Sequence, residues 1–255
     1  MEKLFIEARI SMKIIVCKDY QEMSHTAAKI VIEQVKHKPD SILGLATGSS
    51  PLGMYERIIK SYQEKEVSFK EVKTFNLDEY VGIDLNHKES YHFYMNEHLF
   101  KHIDINPTNI HIPSPNGNIK KTTQAYDYQL KNNPIDLQVL GLGTNGHIGF
   151  NEPGTPFSAT TFKVELNPQT RTDNARFFNT LDEVPTHAIT MGIKSIMKAK
   201  KILVLVYGSH KQEALYNMIY GEITPQIPAS ILQVHCDLTV ITDEAALGNI
   251  NPNNL

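Results

Sequence analysis

Between Leu140 and Gly154 the chain reads Leu-Gly-Leu-Gly-Thr-Asn-Gly-His-Ile-Gly-Phe-Asn-Glu-Pro-Gly, which sets one imidazole and one carboxylate among glycines. Glycine accepts positive φ without penalty and lets a backbone approach a ligand closely. The run therefore reads as an active-site loop. His147 and Glu152 lie five residues apart on a backbone expected to be non-helical, so both can turn into one cleft with Asn145 and Asn151 as hydrogen-bonding neighbours. An imidazole there suits proton traffic in both directions near neutral pH. The plainer alternative is a loop histidine bonded to a carbonyl, with Asn-Glu-Pro as a turn.

Three further stretches carry chemistry-bearing groups. Thr47-Gly48-Ser49-Ser50-Pro51 joins an expected strand to an expected helix, with Ser50 as N-cap and Pro51 as first helical residue. Free amides at such a helix start, with the Thr47, Ser49 and Ser50 hydroxyls, form a cradle suited to phosphate; a capped helix without ligand is the alternative. It is not a Walker loop, since no Gly-Lys-Ser/Thr follows. Asp78 and Glu79 sit at the carboxyl end of another expected strand, where ligands bind in α/β sheets, unless they only cap a turn. Lys211 falls in the first turn of a helix, unfavourable for the dipole without a nearby anion. Arg171 and Arg176 are candidate anion ligands.

The elements that must position these groups alternate. Strands are expected at 13–17, 41–46, 72–75, 110–112, 135–140, 201–206 and 237–241, and helices at 20–36, 52–63, 90–100, 122–131, 211–220 and 228–233. A smaller unit covers 188–193 and 195–199. Residues 155–178 read as an irregular, polar flap or lid. The alternation predicts an α/β fold: a single doubly wound, mostly parallel sheet flanked by helices, Rossmann-like, spanning 12–255. The loops at 47–51, 76–80, 141–154 and 207–211 all follow strands and should gather along one sheet edge. Residues 1–11 are a weakly patterned extension, and Met12 is a candidate functional start.

Composition excludes several classes. With 255 residues, 41% hydrophobic, 21% charged and a net charge of -3, the chain is ordinary globular material and presents no field for nucleic acid or an anionic membrane. Any anionic ligand must be met by local groups. Cys17 and Cys236 both read as reduced core thiols, and no Cys/His cluster has zinc spacing. No apolar leader or run of eighteen apolar residues occurs, so a cytoplasmic location is expected.

Three blocks resemble the glucosamine-6-phosphate deaminase (isomerase) family: Leu45-Ala46-Thr47-Gly48-Ser49-Ser50-Pro51, Phe75-Asn76-Leu77-Asp78-Glu79-Tyr80-Val81-Gly82, and Gly141 through Pro153. The last is the specific one, and the order of all three extends the likeness over roughly residues 12–240. The resemblance implies conversion of glucosamine 6-phosphate and water to fructose 6-phosphate and ammonia in amino-sugar catabolism, with no metal or organic cofactor. By the same match His147 is the ring-opening acid/base, oriented by Asn145 and Glu152, and Asp78 carries the proton between C2 and C1. The sugar phosphate falls to Thr47, Gly48, Ser49, Ser50, Glu79, Gly146, Arg176 and Lys211. A monomer or small homo-oligomer is expected.

Two departures accompany the likeness. Some members carry Asp where this chain has Asn145, so His147 is expected to deprotonate more easily here. Members activated by N-acetylglucosamine 6-phosphate carry a Ser-Arg-Thr-Arg-like segment where this chain has Ala159-Thr160-Thr161-Phe162, so no such activation is expected. The alternatives are a galactosamine-6-phosphate deaminase, a 6-phosphogluconolactonase, or a non-catalytic sugar-phosphate sensor. A sensor should carry a DNA-binding module, for which the stretch before Met12 leaves no room.

Overall fold

The apolar runs around Ile14, Leu43, Val139, Val204 and Val240 are too short for helices, and those around Leu43, Val139, Val204 and Val240 bury side chains on both faces of a sheet, as parallel strands require. The computed structural model describes residues 12–250 except 176, 177 and 179. Among the described residues the order is β1 (Met12–Cys17), α1 (Tyr20–His37), β2 (Ile42–Leu45), α2 (Leu52–Gln63), β3 (Lys73–Asn76), β4 (Asp78–Tyr80), α3 (Tyr91–His98), β5 (Ile110–His111), α4 (Ile119–Asn132) and β6 (Leu137–Gly141). Then come β7 (Phe162–Glu165), α5 (Pro168–Ala175), β8 (His187–Thr190), α6 (Ile193–Ile196), β9 (Ile202–Val206), α7 (Gln212–Tyr220), β10 (Leu238–Asp243) and α8 (Glu244–Leu247).

Seven strands form one sheet in the order β1-β10-β9-β6-β2-β3-β5, and every neighbouring pair is parallel. Alternating residues of the central strands feed two cores. Val204 and Val206 join Phe75 and Leu140 on one face, while Leu203 and Leu205 join Leu45, Leu137 and Val139 on the other. Helix α1 buries Met23, Ala27, Ala28, Val31, Ile32 and Val35, with Asp19 capping its start by accepting the Glu22 N–H. Strand order reverses between β2 and β6, the place where α/β sheets leave a crevice for ligand.

Three expectations change. The acidic pair does not end a parallel strand: after β3, Leu77 lets the chain leave the large sheet, and β4 pairs antiparallel with β8 in a second sheet of order β4-β8-β7. The segment 155–178 is not wholly irregular, for it contains β7 and α5. Its polar residues masked the strand because only Val164 along β7 is buried. Cys236 is exposed rather than a core thiol, because it precedes β10; Cys17, at the end of β1, is buried.

Candidate active site

The loops after β2, β3, β6 and β9 meet over the carboxyl ends of their strands and enclose a cleft of ≈ 460 Å³. Thr47, Gly48, Ser49, Ser50, Asp78, His147, His210 and Lys211 all line it.

Asp78 is 6% exposed and opens into this cleft from β4. Burial, then the neighbouring Glu79 charge, push its carboxyl up to about 8, against a backbone N–H from Phe150 that pulls it down. A carboxyl that ionises near neutrality is suited to taking and returning a proton. Gly149 bends the chain over it at φ 55; a Cβ there would sit 3.2 Å from Thr190 Oγ1 and 3.4 Å from Asp78 Oδ2.

The orientation of His147 follows from a chain of donors and acceptors. Its backbone N–H donates to Asn145 Oδ1 at 3.2 Å, which fixes the Asn145 amide with its oxygen toward the histidine. The same oxygen lies 2.7 Å from Nδ1, so Nδ1 carries a hydrogen, and in the neutral ring Nε2 then has the lone pair. The Asn145 amide then donates to Glu152 Oε2 at 3.1 Å, and Glu152 Oε1 accepts the Thr170 hydroxyl at 2.6 Å. Nδ1 and Glu152 Oε2 are 3.9 Å apart, so Asn145 stands between them. The ring lies flat on Gly143, where any Cβ would overlap the imidazole.

The hydroxyl-rich loop is braced by tyrosines. Tyr20 donates to Ser49 O at 2.8 Å, Tyr94 to Gly48 O at 2.6 Å, and Tyr207 to Ser49 Oγ at 2.8 Å. Ser50 does not cap α2: Pro51 holds the cap position with no side-chain bond, and the Gly53 N–H goes to Tyr20 Oη at 2.9 Å. One amide of the expected cradle is thus used internally. Lys211 ends a 3-10 turn directly before α7, and Asp243 ties that turn down by accepting the Gly208 N–H at 3.0 Å.

Several candidate residues are placed elsewhere. Glu79 lies on the opposite face of β4 from Asp78, fully buried, and its carboxylate accepts N–H groups of Tyr80, Tyr91 and His92. It is a corrected assignment: successive strand residues alternate, so only one of the acidic pair can face the cleft. Gly146 packs under Ile227, and its carbonyl accepts the Ala229 N–H at 2.9 Å; it supports the loop from beneath. Asn151 is fully buried and donates to Ile148 O and Met191 O, so it shapes the turn. Arg171 points to the carbonyls of Leu181 and Val184 rather than an anion. Arg176 lies outside the described residues. Tyr91, Thr170, Thr172 and His210 line the cleft without having been singled out, and the Ser-His-Lys run beside Lys211 was the available signal for the last.

Among the described residues, no three or more His, Cys, Asp or Glu side chains are grouped to hold a metal ion, and no helix is long and apolar enough to cross a membrane.

A parallel sheet with its polar cleft at the strand-order reversal defines a Rossmann-like α/β protein built around a ligand site. The chain belongs to the glucosamine-6-phosphate isomerases/6-phosphogluconolactonase family, whose model matches residues 18–241. It is 52% identical over 241 residues to a glucosamine-6-phosphate deaminase of Clostridium novyi, covering 94% of this chain and 100% of that one. A Clostridium botulinum glucosamine-6-phosphate deaminase is 50% identical over 243 residues, 94% of this chain and 98% of its own. Among solved structures, a monomeric glucosamine-6-phosphate deaminase superposes with a TM-score of 0.91 at 44% identity, over 92% of this chain and 99% of that one. A 6-phosphogluconolactonase from Leishmania guyanensis reaches 0.74 at 16% identity, over 95% and 100%, a likeness of fold.

Proposed function

We propose that the protein converts glucosamine 6-phosphate and water to fructose 6-phosphate and ammonia, with residues 12–255 as one catalytic domain. The supporting observation is the cleft itself, in which an imidazole held through Nδ1 by Asn145, a buried carboxyl that ionises near neutrality and a hydroxyl-rich loop beside a lysine border one space of sugar-phosphate size. High identity to glucosamine-6-phosphate deaminases along nearly the whole chain favours this substrate over a lactone.

On this reading the phosphate sits against Thr47, Ser49, Ser50 and Lys211, which gives a slightly acidic protein a local cationic anchor. His147 Nε2 takes the anomeric hydroxyl proton and returns it to the ring oxygen, opening the pyranose. Asp78, as carboxylate, then removes the C2 proton while the substrate's ammonium group passes one to the C1 oxygen, leaving an enolamine. Return of the Asp78 proton to C1 gives an iminium at C2. Water adds there and ammonia leaves, completing the ketose. Asn145 and Glu152 act through His147 by holding its tautomer.

The test is ammonia release coupled to fructose 6-phosphate formation, for the wild type and for Asp78→Asn. Turnover abolished by the substitution supports both the reaction and the proton carrier. Saturable binding of the sugar phosphate without turnover would favour a non-catalytic sugar-phosphate-binding protein.

A further inference from the structure

Behind the strand that presents Asp78, a second carboxylate is held by donors alone. Glu79 has no solvent exposure, and its oxygens receive four donors. Tyr80 N–H (2.9 Å) and Tyr91 N–H (3.0 Å) meet Oε1, while His92 N–H (3.0 Å) and His92 Nδ1 (2.8 Å) meet Oε2. All three backbone groups are donors, the set a carboxylate accepts, and His92 Nδ1 is its fourth contact. Two of these amides open helix α3, whose third, Phe93 N–H, is capped by Ser90 Oγ at 3.0 Å. Glu79 thereby joins β4 to the start of α3, where the helix dipole favours a negative charge.

The arrangement places a fixed anion one residue from Asp78, across a single strand, with one titratable partner. His92 is 29% exposed at its side chain, and its ring also borders a separate surface hollow with His111. Burying a carboxylate beside a proton-carrying carboxyl is costly for folding unless it serves the site, because hydrophobic packing would join β4 to α3 as well.

We propose that Glu79 and His92 are positioning residues for the reaction, a paired anion and donor behind β4 that set the proton affinity of Asp78. This rests on the reading of Asp78 as the proton carrier. Like charge nearby makes Asp78 hold its proton more tightly, and the His92 donor moderates that effect. The other titratable groups around Asp78 are Tyr80 on its own strand, Tyr91 from α3, Tyr126 from α4, His147 from the loop after β6, and His210 and Lys211 from the loop after β9. Tyr80 and Tyr91 donate backbone N–H groups to Glu79, so His92→Leu, which leaves those bonds in place, is the variant that reports the pair.

The experiment follows Asp78 directly, by carboxyl carbon NMR of protein labelled at aspartate, with the signal assigned by its loss in Asp78→Asn. Glu79→Gln should lower the Asp78 midpoint by roughly one pH unit, and His92→Leu should raise it. The rising limb of kcat/KM for ammonia release should move in the same two directions. Unmoved NMR midpoints in folded His92→Leu overturn the proposal, even if Glu79→Gln fails to fold. Midpoints that move as stated, in a protein that releases no ammonia, uphold the pair and refute the deaminase reading instead.

Discussion

Replacing Asp78 by Asn should remove activity and, at alkaline pH, increase stability. In the folded protein the carboxyl is pushed up from its ordinary 3.8 to about 8, chiefly because it is buried and next because of the neighbouring Glu79 charge. A group whose folded value is raised stabilises the fold fully below its unfolded value, and that contribution is lost as pH rises through the folded value. Between about pH 4 and 8 the folded state holds this proton and the unfolded state does not, so stability falls with rising pH by about 1.4 kcal/mol per pH unit. Asn carries no charge and contributes no such slope. The stability difference, Asn variant minus wild type, should therefore widen by about 2–3 kcal/mol from pH 6 to pH 8 and level off above that. Urea unfolding at a series of pH values measures it, and kcat for ammonia release should fall by about 10³-fold or more in the same variant. A stability difference independent of pH would refute the argument, since Asp78 would then ionise in the folded protein as it does in the unfolded chain.

Other substitutions probe the remaining parts. Gly143→Ala puts a methyl into the imidazole, so kcat should drop by at least about 10²-fold while the circular dichroism spectrum stays unchanged. Asn145→Asp sets two carboxylates against each other at the present 3.1 Å contact with Glu152 and adds a charge beside Nδ1; the acidic limb of the pH–rate profile should move to higher pH, and an unmoved limb refutes the expectation that His147 deprotonates more easily beside an amide. Lys211→Ala should raise KM by about 10-fold or more with a smaller change in kcat, measured by initial rates, if the phosphate rests on that wall of the cleft. N-acetylglucosamine 6-phosphate should leave the rate curve unchanged, since Ala159-Thr160-Thr161-Phe162 offers no guanidinium for its phosphate; conversion of a sigmoidal curve to a hyperbolic one is the contrary result.

Much of this architecture is legible in the sequence because it depends on short-range rules. Periodicity and β-branched runs locate the parallel strands and the long helices, and glycines mark where backbone must turn tightly around His147. Helix α5 and strand β7 escaped notice because their polar residues carry little periodicity, and their order comes from packing against β8 and from Thr170 reaching Glu152. Glu79 was misread for a related reason. Adjacent acidic residues look alike in sequence, and only the strand's alternation, once β4 was paired with β8, separates the one facing the cleft from the one buried behind it.

What the sequence determined by itself is the inventory: a carboxylate, an imidazole, a hydroxyl-rich turn and a lysine, each following a strand. What only the tertiary structure decided is the state of those groups. The tautomer of His147 depends on which way the Asn145 amide turns, and that depends on Glu152, seven residues away, and on Thr170 beyond it. The proton affinity of Asp78 depends on burial and on a neighbouring charge whose partners come from helix α3. Both are set by desolvation and directed hydrogen bonds, which act through space and leave no local pattern in the chain.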